Sequence, residues 1–237
     1  MTDITAVLMT HAEGKLILPT LESFTQATEH AEKSGITIEK IVTMDNPSPE
    51  TKAIIDKLNP KDWTILSLSY GDLGKVRNHA AQQAKGKYFA ILDGDDFWSY
   101  NWLSSAFNLS EQNKDEIIVH PELNWLFEEV NNIFYHCDEN YASFDYEALR
   151  STNPWDSLCF CRSELVRKMP YVKRQIKEGF AYEDWNWNRR TYENMITHVV
   201  AHNTIIFKRR RNASQGAQAA KRGVISQPSL SSYYDFY

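Results

Sequence analysis

With 237 residues and 42% hydrophobic side chains, the chain has enough material for one large core, which excludes disorder throughout. A formal net charge of −5 argues against wholesale nucleic-acid binding. No apolar run reaches the roughly 18 residues that span a bilayer, and Met1 to Thr10 has no secretory pattern, so a soluble, cytoplasmic protein is expected.

The first hundred residues alternate between strand-like and helix-like patterns. Ile4 to Met9 is a short apolar run, Leu16 to Ala31 has helically spaced apolar positions, and Ile36 to Val42 is strand-like again. Pro49 to Leu58 reads as helix and Trp63 to Leu68 as a third strand. Leu73, Val76, Ala80 and Ala84 mark a helix that opens near Asp72, with Gly86 expected to end it in a left-handed conformation. Lys87 to Leu92 is then a fourth strand, too apolar to be half exposed, which suits the middle of a parallel sheet. This order predicts a doubly wound α/β layer, with ligands beyond the carboxyl ends of the strands, where Thr10, Asp45, Tyr70 and Asp93 to Asp96 fall.

After residue 100 the pattern blurs. Trp102 to Leu109 looks helical, Ile117 to Val119 strand-like, and Leu123 to Tyr146 has no clear period. Tyr182 to Tyr192 reads as helix and Met195 to Phe207 as a loop entering a strand. Beyond Asn212 the composition turns to Ser, Gln, Ala and Gly until Tyr233, Tyr234, Phe236 and Tyr237, which reads as a poorly packed tail or one that folds over a site or partner. Cys137, Cys159 and Cys161 lack the further ligands of a zinc site and are expected to be reduced core residues.

The stretch "AILDGDDFWS" sends a buried strand straight into Asp93, Asp95 and Asp96. Three neighbouring acids call for positive charge. A hard cation, Mg²⁺ or Mn²⁺, held by one or two carboxylates and completed by water and phosphate, supplies it. An EF-hand loop would want an oxygen ligand at Phe97, a glycine at Trp98 and a Glu at Ser104, and has none of them. A solvated acidic turn is the alternative.

"GDLGKVRNHAAQQAKGKYFAILDGDDFWS" resembles the central segment of family 2 glycosyltransferases, in which an Arg-Asn pair and a small-residue helix precede a strand ending in D-x-D-D. "ITAVLMTHAEG" is similar to that family's first strand and turn, and "IEKIVTMDNPSPET" to its second strand, with Met44 where an acid is usual. "YEDWNWNRR" resembles its Glu-Asp motif. The resemblance implies a GT-A type fold, a Rossmann-like, mostly parallel sheet flanked by helices with a C-terminal acceptor-binding part. The catalytic domain would span 1–211, with the nucleotide-sugar part near 1–103, the acceptor part near 104–211, and a tail at 212–237. It also implies transfer of a sugar from a nucleoside diphosphate donor with inversion. By position, Thr10 and Asp45 would contact the base, Arg77 would lie near the nucleotide, Asp93 and Asp95 would hold ribose and metal, Asp96 would assist, and Asp184 would be the catalytic base.

The chemistry has a use for these residues. A divalent metal neutralises the departing diphosphate, with Asp95 the first choice as ligand and Asp96 the next. Asp184 can take the acceptor's proton, and Glu183 beside it can raise its pKa, although a solvent-facing Glu183 is the simpler expectation. Asp45 can accept the N3–H of uracil or thymine, a reason for a UDP or dTDP donor, although guanine also offers an N–H and leaves the base open. Lys75 and Arg77 are candidates for phosphate or base contacts, or ordinary surface charges of a helix. Trp155 and Trp185 are acceptor-side candidates, and His198 and His202 read as structural rather than metal ligands. One of Lys208 to Arg211 is a candidate for contact with the diphosphate, with a solvated charge run as the alternative, and the basic 208–222 region is a candidate for contact with a membrane surface or a lipid-linked acceptor. The expected partners are therefore a nucleotide-sugar and a glycan or glycoconjugate acceptor. A sugar nucleotidyltransferase and a non-catalytic nucleotide-sugar-binding module are the alternatives.

Overall fold

The computed structural model describes residues 2–59, 61–211 and 221–227. β1 (Ile4–Thr10), α1 (Ile17–Lys33), β2 (Ile38–Asp45), α2 (Pro49–Ile55), β3 (Thr64–Leu68), α3 (Leu73–Gln83) and β4 (Tyr88–Asp93) alternate through the first part. β5 (Phe97–Trp98), α4 (Trp102–Gln112), β6 (Ile117–Glu128), β7 (Asn132–Tyr135) and β8 (Phe160–Arg162) follow. The chain continues through α5 (Ser163–Lys168), β9 (Phe180–Ala181), α6 (Glu183–Glu193), β10 (Thr197–Arg210) and β11 (Ile225–Ser226).

One nine-stranded sheet runs in the order β3-β2-β1-β4-β8-β6-β10-β5, with β7 paired beside β6. β3, β2, β1 and β4 are mutually parallel, and β10 is parallel to β6. β8 runs antiparallel to both β4 and β6, so β4 is central but flanked by one parallel and one antiparallel neighbour. Every residue of β1 is buried, which requires cover on both faces of the sheet. α1 packs with α4, and α3 packs with α5 and α6. The α/β architecture predicted from the alternating pattern is present. No helix among the described residues is long and apolar enough to cross a membrane.

Strand order reverses at β1, which has β2 on one side and β4 on the other, with Met9 level with Asp93. At such a switch point the connections leave in opposite directions and open a crevice beyond the strand ends. The Asp93 to Asp96 turn lies there.

Local signals explain the helix starts. Ser48 accepts a hydrogen bond from the Thr51 amide with Pro49 at the first helical position, and Asp72 accepts from the Lys75 amide. Gly86 differs from expectation. α3 ends at Gln83 with Ala84 extended, and Gly86 is absent from the positive-φ glycines. A Cβ on Gly86 would meet the Thr5 amide nitrogen at 2.4 Å, so the glycine permits close approach of the α3–β4 connection to β1 rather than a left-handed cap.

The blurred region after residue 100 also resolves. β6 extends to Glu128, far past the predicted Val119, because its second half pairs with β7 on one side and β10 on the other. Its outer residues are only partly covered, which breaks the period. In the tail, Ile225–Ser226 pairs in parallel with Phe180–Ala181, and Val224 is buried against that pair. This short part is packed and not loose; Tyr233, Tyr234, Phe236 and Tyr237 lie outside the described residues. Cys159 and Cys161 are buried and all three cysteines are free thiols.

Candidate active site

Cationic side chains of the chain itself offset part of the charge of the acidic turn. β10 ends alongside it, and Lys208 Nζ lies 2.8 Å from Asp156 Oδ1 and 3.6 Å from both Asp93 Oδ2 and Asp96 Oδ2. Burial opposes the charge of Lys208, yet Asp156, Asp96 and Asp93 together raise its pKa. Arg211 Nη2 pairs with Asp95 Oδ2, and Arg209 donates from its amide to Asp96 Oδ1 at 2.8 Å. Gly94 allows this turn to sit against β1, since a Cβ there would meet the Met9 carbonyl oxygen at 2.8 Å.

The three aspartates are not equivalent. Asp96 is buried with both oxygens engaged, and burial together with Asp93 and Asp95 raises its pKa despite Lys208. It is therefore an anchor for β10 and not the accessible metal ligand expected from sequence. Asp95 is partly exposed, and its second oxygen has no hydrogen-bond partner among the described residues. Asp93 presents a buried Oδ1 that lacks a partner among them. No group of three His, Cys, Asp or Glu side chains among the described residues forms a metal cage. Two carboxylates with unmatched oxygens fit a hard cation that gains its remaining ligands from phosphate and water.

The Glu-Asp motif opens α6. Tyr182 just before it has a left-handed backbone (φ 59°), a conformation that costs a non-glycine residue of order 1–3 kcal/mol and persists only where packing holds it. Here the β9–β11 ladder and the Tyr182–Trp185 ring contact hold it. Glu183 is buried and meets Arg77 Nη1 at 2.9 Å, which corrects the expectation of a solvent-facing glutamate. Asp184 is partly buried and carries no hydrogen bond or ion pair from the described residues. Burial first, and then the Glu183 charge, push its pKa up to about 6.

Arg77 is 2% exposed, so it is neither a surface charge nor open to a nucleotide; it is the buried counter-ion of Glu183, lying over the Tyr171 ring. The rest of its motif is also structural. Asn78 exchanges two hydrogen bonds of 2.8 Å with the Tyr171 backbone, and a Cβ on Gly74 would meet the Val172 carbonyl oxygen at 2.6 Å. α3 is thereby stitched to the 171–174 segment that leads to α6. Asp45 accepts from the amides of Tyr70 and Gly71 at 2.6 and 2.8 Å, pinning that loop beside the crevice. Thr10 is buried and donates to the Thr43 carbonyl, so its hydroxyl is already engaged.

On the acceptor side, Trp155 is 2% exposed and stacked with His198 at 3.9 Å, so it offers no face to a sugar. Trp185 remains partly exposed, oriented by a 2.8 Å hydrogen bond from Nε1 to the Leu149 carbonyl. His198 bonds His120 and Thr191 within the core, and His202 bonds Glu122 and Tyr141; both are structural. The basic 208–222 region is not one surface, because Lys208, Arg209 and Arg211 face acids while Lys221 and Arg222 are exposed; 212–220 lie outside the described residues. Sequence reading missed Asp156 altogether. Burial alone would raise it, yet Lys208 holds it well below the usual carboxylate range. A lone Asp in a loop carries no sequence signal. Glu13 was missed too: it accepts the His11 amide at 2.7 and 3.0 Å, and burial, with Asp95 nearby, raises its pKa.

An uncharacterized glycosyltransferase of Methanocaldococcus jannaschii is 26% identical over 154 residues, covering 61% of this chain and 52% of its own length. A UDP-Glc:alpha-D-GlcNAc-diphosphoundecaprenol beta-1,3-glucosyltransferase of Escherichia coli, WfaP, is 34% identical over 79 residues, 32% of this chain and 31% of its own. The chain thus spans about half the length of the first of these relatives, and its match to the second is shorter still. In structure, S. aureus TarS with UDP-GlcNAc matches with TM-score 0.69 at 16% identity, over 99% of this chain and 64% of that one. The mannosyltransferase PcManGT of Pyrobaculum calidifontis, with GDP-Man and Mn²⁺, matches with TM-score 0.63 at 13% identity, over 91% and 59%. The family model for glycosyl transferase family 2 matches residues 5–173, and the chain belongs to that family.

Proposed function

We propose that the protein is an inverting, metal-dependent glycosyltransferase that moves a sugar from a nucleoside diphosphate donor, UDP-sugar favoured, to a hydroxyl of a glycan or glycoconjugate. The observation that carries this reading is the contrast at the start of α6: Glu183 is neutralised by Arg77, while Asp184 beside it is unpaired with a pKa near neutrality, about 6. A carboxylate held so is ionised at neutral pH and basic enough to accept a proton in the transition state.

In the reaction, Asp184 takes the acceptor O–H proton as that oxygen bonds the anomeric carbon from the face opposite the leaving group. The anomeric C–O bond breaks and its electron pair leaves with the diphosphate. Mn²⁺ or Mg²⁺ on Asp95, with Asp93 behind it, would neutralise the charge developing on the diphosphate. Asp45 fixes the Tyr70–Gly71 loop beside the base subsite, with Thr10 at the end of β1 below it. Trp185 offers the acceptor an aromatic surface.

Support for a UDP donor comes from two similar proteins, one named for UDP-Glc and one bound to UDP-GlcNAc, against a third bound to GDP-Man. A thermal-shift panel of nucleotide-sugars with and without Mn²⁺ tests donor and metal together, because a ligand that binds only the folded state raises the melting temperature. Stabilisation by a UDP-sugar only with Mn²⁺ is expected; a panel without any shift would sink the reading.

A further inference from the structure

Two side-chain cations, Lys208 on β10 and Arg211 just past its end, meet the carboxylates of the acidic turn, and they are held very differently. Lys208 is surrounded by Asp93, Asp96 and Asp156, and only 14% of its side chain is exposed. Its withdrawal would leave buried carboxylates without compensation, so it is fixed. Arg211 meets a single carboxylate, Asp95, and 30% of its side chain is exposed. Its Nε is enclosed and has no hydrogen-bond partner among the described residues. A guanidinium has five N–H donors, and the Asp95 contact engages only Nη2. A partly exposed pair of this kind holds weakly. A diphosphate carries more charge than a carboxylate and accepts a guanidinium through two oxygens at once.

We propose that Arg211 is an exchangeable clamp, paired with Asp95 as seen here and transferred to the donor diphosphate on binding, which releases Asp95 Oδ2 for a divalent cation. This rests on the nucleotide-diphosphate reading above. Arg211 therefore acts with opposite sign on two ligands. It competes with a divalent cation for Asp95, and it attracts the nucleotide.

Calorimetric titration of the full chain with Mn²⁺ alone, and with UDP at fixed Mn²⁺, tests this in wild type, Arg211→Gln and Arg211→Lys. Arg211→Gln is expected to bind Mn²⁺ alone about tenfold more tightly and UDP about tenfold more weakly, with Arg211→Lys between, because Lys binds phosphate as a point charge only. A merely structural ion pair would not move the two affinities in opposite directions. Should Arg211→Gln fail to fold, Asp95→Asn gives the reciprocal measurement: UDP binding without metal should tighten as Arg211 is released. Unchanged affinities, or changes of the same sign, overturn the exchange, while measurable UDP binding by the wild type keeps the donor reading standing. A wild-type protein that binds neither UDP nor any nucleotide-sugar overturns the donor reading and the clamp together.

Discussion

Arg77 on α3 and Glu183 on α6 form a buried ion pair at 2.9 Å, joining the helix that precedes the acidic turn to the helix that carries Asp184. The contact joins two residues 106 positions apart in sequence. It leaves Asp184 as the unpaired acid of the pair.

Removing one partner leaves a buried charge without compensation. Arg77→Met should lower stability by about 3–5 kcal/mol. Arg77→Met with Glu183→Leu should recover most of that loss in urea unfolding. If the double variant is no more stable than the single one, the pair is not what holds these helices.

Transfer activity should fall with an apparent pKa near 6 on the acid side, since protonated Asp184 cannot accept the acceptor's proton. In a pH-rate profile this appears as loss of kcat as pH falls from 7 to 5. Asp184→Asn should retain UDP-sugar binding and lose transfer by about 10²–10⁴-fold. Unchanged turnover would remove Asp184 from the mechanism.

Stability has its own pH dependence in the imidazole cluster. Burial pushes His198 down to about 3, and lowers His120 and His136 as well. Below pH 6.5 the unfolded chain takes up protons that the folded one refuses, so stability drops as pH falls towards the folded pKa. Each such group contributes up to about 1.4 kcal/mol per pH unit. Asp184 and Glu139, the latter raised to about 7 by burial, work in the opposite sense. The difference between wild type and His198→Gln isolates the imidazole: the variant's melting temperature should fall less steeply from pH 6.5 to 5.

The two tryptophans proposed for the acceptor should separate. Trp155→Ala opens a cavity in the core and should cost about 3–5 kcal/mol. Trp185→Ala should raise acceptor KM with donor binding unchanged. A Trp185→Ala enzyme with wild-type acceptor KM would place the acceptor elsewhere.

Gly86→Ala should destabilise by about 1–3 kcal/mol, since the added methyl meets the backbone of β1 at 2.4 Å. An unaffected melting temperature would mean that the α3–β4 connection moves freely.

The sequence by itself determined the alternating elements, the central buried strand and the acids at its tip, because each rests on local periodicity or on residues adjacent in the chain. Asp93 and Asp95 at the end of β4, and Asp184 in the first turn of α6, are legible for that reason. What cancels their charge was decided only by tertiary structure. Lys208, Asp156 and Arg211 reach the turn from β10 and from the loop before β8, and Arg77 turns inward to Glu183. Pairing across more than fifty residues leaves no periodic trace, and a charged residue reads the same in sequence whether it faces water or a buried partner. Burial makes that difference: it turns an ordinary lysine into the hub of three carboxylates, and an expected acceptor platform, Trp155, into core.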